Sequence, residues 1–258
     1  MEQHSMKGRV ALVTGGGRGI GRAICELLAA EGAAVAVNYR RDADAAAETV
    51  KAITDAGGKA RAYCAAVEDV DAARAMVNSV IADFGFIDIL VNNAGIGSKG
   101  RTVAETEPAE VERLLRVHAM APHWLSAAVL PSMRTRPRGD IIMISSSATR
   151  RMRGNGAPYN MAKAAMDALA LTLSNEERVN NVRVNIVAPG LVETDLGRKL
   201  AVAWGKSDIR DYDAESPYRH VVQPVDVARA VLFFCSSMGA YVSGERLYVD
   251  GGGPMESF

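Results

Sequence analysis

The sequence has no excess charge of either sign: 30 Lys and Arg stand against 30 Asp and Glu in 258 residues. A chain without a global field does not draw in nucleic acid or an anionic membrane, so any anion it binds is held by local geometry. Cysteine is scarce. Cys25, Cys64 and Cys235 are far apart, odd in number, and outside any CxxC or Cys/His cluster of metal-ligand spacing. No metal site is expected, and the thiols read as buried groups of a reducing compartment. No uninterrupted apolar run reaches membrane-spanning length, and residues 1–7 form a short polar leader without a signal peptide's apolar stretch, so the expected location is the cytoplasm. Internal repeats, low-complexity tracts and linkers are lacking too, which predicts one domain over residues 8–258.

What the chain does have is size and alternation. With 48% hydrophobic residues it can bury a sizeable core. Residues 9–14 (RVALVT) form a short β-branched run, a glycine turn follows, and Ile20, Ile24, Leu27 and Leu28 recur at helical spacing. Gly32 ends that helix, residues 34–39 read as a second strand, and 43–56 as a second helix closed by Gly57-Gly58. Further strands are expected at 60–64, 87–91, 140–145, 182–187 and 246–249. Seven strands in βα alternation predict a Rossmann-type α/β fold, a doubly wound and mostly parallel sheet with helices on both faces. Burial on both faces explains why the strands are continuous apolar runs. Residues 194–223 are the least regular and read either as a substrate-facing segment or as a surface insertion.

The turn itself, Thr14-Gly15-Gly16-Gly17-Arg18-Gly19-Ile20-Gly21, lies where free backbone N–H groups meet the positive end of a helix dipole. That geometry suits a pyrophosphate, and glycine lets backbone approach it closely. A Walker loop is excluded, because Arg22 follows Gly21 where a Lys-Ser/Thr pair would be needed. The second strand ends in Asn38-Tyr39-Arg40-Arg41, without the carboxylate that would accept from the ribose hydroxyls of NAD. Arg18, Arg40 and Arg41 would instead clamp a 2′-phosphate, which favours NADP(H); the alternative is that Arg40 and Arg41 are solvated loop charges.

Tyr159 and Lys163 stand four apart on a helical pattern, and Ser146 ends the fifth strand. A tyrosine of pKa about 10 exchanges protons efficiently only if a neighbouring cation stabilises its phenolate, and Lys163 is spaced to do so. Together with TGGGRGIG, Asn92-Asn93-Ala94-Gly95, YNMAK, Pro189-Gly190 with Thr194, and the terminal VDGGG, this order of motifs resembles the classical short-chain dehydrogenase/reductase family over nearly the whole length, including its 3-oxoacyl-acyl-carrier-protein reductases. The resemblance implies that Lys163 also holds the nicotinamide ribose, that Asn93, Ala94 and Gly95 line the cofactor cleft, and that Pro189, Gly190, Val192 and Thr194 contact the nicotinamide side. It implies hydride transfer to a carbonyl carbon while Tyr159 protonates the oxygen, or the reverse oxidation of a secondary alcohol. It also implies a homotetramer or dimer built through two long helices.

Two positions depart from the family pattern. His118 stands where an asparagine usually positions a relay water behind the lysine; it either takes over the relay or is a packed helical histidine. Ala66-Val67 replaces the usual Asp-Val, so adenine would rely on apolar contact and the Val67 backbone. Arg150, Arg151 and Arg153 after Ser146, with Arg134, Arg136 and Arg138 before its strand, read either as a cluster for an acyl carrier protein or coenzyme A thioester, or as a solvated face. The expected substrate is a small carbonyl or alcohol, an acyl thioester being the alternative. A nucleotide-binding scaffold without turnover is a further reading, motivated by His118 and Ala66.

Overall fold

The computed structural model describes residues 6–216 and 218–253, so residues 1–5 of the expected leader lie outside it. Seven strands, β1 (Val10–Val13), β2 (Ala34–Tyr39), β3 (Lys59–Cys64), β4 (Ile89–Asn92), β5 (Gly139–Ile144), β6 (Val182–Pro189) and β7 (Arg246–Val249), form one sheet in the order β3-β2-β1-β4-β5-β6-β7. Every neighbouring pair is parallel. The fold is the expected Rossmann-type sheet, and the strand order reverses between β1 and β4, where such sheets open a crevice at their carboxyl ends.

Period-two alternation sends Ala11 and Val13 of β1 to one face and Val10 and Leu12 to the other, and both faces are covered. On the first, α1 (Gly19–Ala30), α2 (Ala43–Asp55) and α9 (Pro224–Cys235) bury Ile24, Leu28, Ile53, Val231 and Phe234. On the second, α3 (Val70–Phe84), α5 (Ala121–Met133) and α7 (Ala157–Glu177) bury Val77, Val80, Leu125, Val129, Met166 and Ala170. The helix entering α5 is one long rod in three parts: α4 (Pro108–Leu115), a π-helical turn Arg116–Met120, then α5. Residues 194–223 hold more structure than their composition suggests, with α8 (Asp195–Ala203), a 3-10 turn Ile209–Tyr212 and a small cluster of Ala201, Ile209 and Val221. The remaining short helix, α6 (Ala148–Arg151), follows Ser146. Cys25 and Cys235 are buried as expected, but Cys64, at the end of the edge strand β3, is exposed, which corrects its reading as a buried thiol.

The arginines around the fifth strand are not one cluster. Arg134, Arg136 and Arg138 sit at its amino end and are committed to the buried or nearly buried carboxylates of Glu177, Asp88 and Asp140. Arg150 and Arg151 lie at the carboxyl end, the former stacked on Tyr248 with its Cζ 3.8 Å from the ring centre. The strand separates the two groups, so an acyl carrier would meet at most three of the six. Asp140 is fully buried and accepts from Arg9 Nη2 (2.6 Å), Arg138 Nε (3.0 Å) and Arg183 Nε (2.9 Å). The same guanidiniums donate to the carbonyls of Cys235, Phe234, Ser236 and Gly239, closing the end of α9 onto β1, β5 and β6. Asp140→Ala strands three cations against a helix end. The expected loss is about 3 kcal/mol in a chemical denaturation curve, and an unchanged midpoint would refute the clamp.

Candidate active site

The glycine turn is built by side chains from the two strands flanking the crevice. Asn93, just past β4, donates through Nδ2 to the Thr14 carbonyl (2.8 Å) and the Gly15 carbonyl (3.2 Å), while Thr14 Oγ1 accepts from the Asn93 and Ala94 amides at 2.9 Å each. Gly15 and Gly19 have φ of +63° and +55°, a region costly for residues with a Cβ. A Cβ on Gly21 would overlap the Gly15 carbonyl oxygen and lie 2.6 Å from Asn93 Nδ2. Helix α1 begins with no side-chain cap on its first amides. Its free N–H groups therefore face the crevice beside Gly17, Arg18 and Ile20, as an anion site requires.

The expected cofactor residues divide into supports and exposed groups. Asn38 is buried: Oδ1 accepts from the Gly15 amide (3.2 Å) and Nδ2 donates to the Tyr63 and Ala65 carbonyls. It carries the turn from beneath. Arg40 is exposed and ion-paired with Glu68, Arg41 is exposed, and Tyr39 is half-buried. Arg18 lies 3.7 Å from both Asp42 and Asp195. Ala66 is half-buried; Val67 is buried and its carbonyl accepts from Trp124 Nε1. Across the crevice, Thr194 caps α8 by accepting from the Gly197 amide (3.0 Å), and its methyl rests against Gly19. The Pro189 carbonyl accepts from Ser147, Gly190 is bonded to Val249, and Val192 bridges Val222.

Ser146, Tyr159 and Lys163 come together at the carboxyl edge of β5. Ser146 and Tyr159 are half-buried, whereas Lys163 is buried and donates through Nζ to the Ile144 carbonyl at 2.6 Å. Nζ lies 5.8 Å from the centre of the Tyr159 ring. Burial raises the Tyr159 pKa, and the Ser146 hydroxyl facing it opposes that rise. Burial also pulls Lys163 down to about 7, against the attraction of Asp167. Burial thus moves the two groups apart on the pH scale, favouring the neutral phenol and the neutral amine, and each resists charge until its neighbours compensate.

His118 is buried within the π-helical turn, and its ring meets that of Tyr159 edge-on with centroids 5.3 Å apart. Its Nε2 stands 2.8 Å from the Ile96 carbonyl and 3.2 Å from the Ile96 amide. One ring nitrogen serves only one of these at a time, where an asparagine serves both with two atoms. Burial lowers its pKa to about 3, so the ring is neutral near pH 7. Gly95 makes room for it: a Cβ there would stand 2.8 Å from His118 Cε1.

Three functional neighbours escaped the sequence reading. Glu110 is buried and accepts from the Lys99 amide (2.7 Å) and Ser98 Oγ (2.9 Å), tethering the loop after Gly95. Glu68 pairs with Arg40. Asp167, one turn beyond Lys163, is buried with Arg246 beside it. Its spacing of four from Lys163 was the available signal.

A family profile described as "Enoyl-(Acyl carrier protein) reductase" matches residues 15–253. The chain belongs to the short-chain dehydrogenase/reductase family. It is a nicotinamide-dinucleotide-binding oxidoreductase acting on carbonyl and alcohol groups. Among family members it is 34% identical to the versicolorin reductase stcU of Emericella nidulans, with 97% of each chain covered, and 34% identical to the 3-oxoacyl-acyl-carrier-protein reductase of Escherichia coli K12, covering 96% of this chain and 98% of that one. A solved 7α-hydroxysteroid dehydrogenase complexed with NADH and 7-oxo glycochenodeoxycholic acid superposes with a TM-score of 0.91 at 33% identity, covering 99% and 98%. An angucycline C-6 ketoreductase with bound NADP superposes at 0.87 with 34% identity, covering 96% of each.

Proposed function

We infer that this short-chain dehydrogenase/reductase uses NADP(H) to interconvert a carbonyl and a secondary alcohol, with Tyr159 as the acid or base. The observation that carries the reading is the trio at the β5 edge: a tyrosine, a buried lysine one turn behind it and a serine facing its hydroxyl. The uncapped start of α1 and the Cβ-free cradle of Gly15 and Gly21 fit a dinucleotide pyrophosphate. Bound there, the dinucleotide supplies the hydride donor or acceptor. In reduction Tyr159 gives its proton to the substrate oxygen, Ser146 donates a hydrogen bond to the same atom, and the Lys163 ammonium favours the phenolate that results. The intact trio speaks against a scaffold without turnover. A panel of ketones and secondary alcohols, followed at the nicotinamide absorbance band, tests the reading: cofactor binding with no turnover on any of them would overturn it.

The preference for NADP(H) rests on Arg18, Arg40 and Arg41 around a strand end lacking a competing carboxylate on β2 itself. Glu68 tempers it by pairing with Arg40. Converting Arg40 and Arg41 together to alanine is expected to raise KM for NADPH by about a hundredfold, roughly one lost charge-assisted contact each, and to leave KM for NADH almost unchanged. An equal change for both cofactors would assign the two arginines to solvent.

The protein is also proposed to act as a homo-oligomer, dimer or tetramer, through the α5 and α7 faces. Met120, Met161 and Leu171 are exposed there, beside a shallow groove lined by Ala119, His123, Trp124 and Leu169. Among the described residues no helix is long and apolar enough to cross a membrane, which agrees with a proposed cytoplasmic setting.

A further inference from the structure

Behind the trio lies a second group of polar side chains that the reaction just described does not use. Asp167 is 3% exposed, on the stripe of α7 that carries Tyr159 and Lys163. Arg246 Nη2 of β7 lies 3.0 Å from Asp167 Oδ2, but off the line of an N–H bond. Both carboxylate oxygens, Arg246 Nε and the Ser145 hydroxyl are buried without a hydrogen-bond partner among the described residues. Burying a carboxylate so poorly solvated is expensive, and burial does push the Asp167 pKa up. A purely structural tie between α7 and β7 would close its hydrogen bonds; this pair meets at 3.0 Å without one.

The charge has a use one turn away. Lys163 is buried, and its hydrogen-bond acceptor is a neutral carbonyl. His118, which faces it from the π-helical turn, adds no negative charge. Asp167 is the acid that favours the ammonium. We propose that Asp167 is a positioning residue of the proton-exchange machinery, a buried anion that keeps Lys163 protonated and thereby lets Lys163 support the Tyr159 phenolate. This deepens the proposed function and rests on it. The other groups facing Asp167 are the Ser145 and Thr149 hydroxyls beside β5 and α6, and the Arg246 guanidinium of β7. Arg246 is shared: its Nη1 donates to Tyr248 Oη at 3.2 Å, and Arg150 of α6 stacks on that ring. Part of this guanidinium is thus engaged away from Asp167, at the tyrosine hydroxyl of its own strand.

The test reads Lys163 directly. In protein labelled with 13C at the lysine ε carbons, the Lys163 resonance is assigned by its loss in Lys163→Met and titrated between about pH 5.5 and 9 without substrate. Asp167→Asn is expected to lower the Lys163 pKa by about one unit, the scale of a unit charge within one helical turn in a partly screened interior, and Asp167→Glu to restore most of it. The alkaline limb of the kcat/KM profile for carbonyl reduction moves to lower pH in step. If Asp167→Asn alone fails to fold, Asp167→Asn with Arg246→Gln is read against Arg246→Gln alone, so that the difference isolates the carboxylate. A Lys163 pKa unmoved by loss of the carboxylate overturns the proposal. Absence of turnover in the wild-type protein would overturn the proposed function instead, and the titration needs no turnover.

Discussion

Tyr159→Phe is expected to lower kcat by about a thousandfold while the dissociation constant for NADPH, measured by calorimetry, changes less than about threefold. The substitution deletes one oxygen. It keeps the ring edge packed against His118 at 5.3 Å, and it leaves the Lys163 bond to the Ile144 carbonyl in place. The free N–H groups of α1, which fit the pyrophosphate, lie on another element and are untouched. The loss therefore falls on the chemical step. A variant retaining more than a tenth of the wild-type rate would remove Tyr159 from its role as acid, and the Ser146 hydroxyl would become the next candidate.

Gly21→Ala is expected to act in the opposite place, on binding and stability together. The added methyl has no room: the Gly15 carbonyl and Asn93 Nδ2 already fill it, and both belong to the bonds that join the β1 turn to the end of β4. The turn must open, at an expected cost of about 3 kcal/mol in stability and a hundredfold or so in affinity for the dinucleotide. Gly154→Ala is the control, because nothing lies within 4 Å of its added Cβ. Equal behaviour of the two variants would show that the close approach at Gly21 is not what holds the turn.

The sheet was legible in the sequence because its inner strands β2, β1, β4, β5 and β6 are buried on both faces and so appear as apolar runs, while the edge strands β3 and β7 are largely exposed or half-buried. Strand ends were less so: the run expected at 87–91 pairs as Ile89–Asn92, since Ile87 is held by Ser132 and Asp88 bonds to Val10. The Ser146, Tyr159 and Lys163 trio was legible because two of its members share a helix face and the third ends a strand. The supporting part of Asn38 was not legible, because whether an amide at a strand end turns up toward a ligand or down beneath a turn depends on what the neighbouring strand presents, here the carbonyls of Tyr63 and Ala65. The arginines before and after β5 looked like one patch along the chain, although 139–144 is a rod that holds them at opposite edges of the sheet. Asp167 carried a spacing signal, but its meaning needed Arg246, seventy-odd residues away, to be seen beside it.

The segment between β6 and α9 has a consequence of its own. Among the described residues, Ala201, Ile209 and Val221 form a cluster apart from the two that sandwich the sheet, and the segment is tied back by the Val192 to Val222 bridge and by Thr194 against Gly19. Opening it breaks few apolar contacts, so its local free energy is far below that of the whole domain. The hold on this segment and the endurance of the fold are then separate quantities. Substitutions at Ala201, Ile209 and Val221 are expected to loosen the segment while the sheet beneath keeps its melting point.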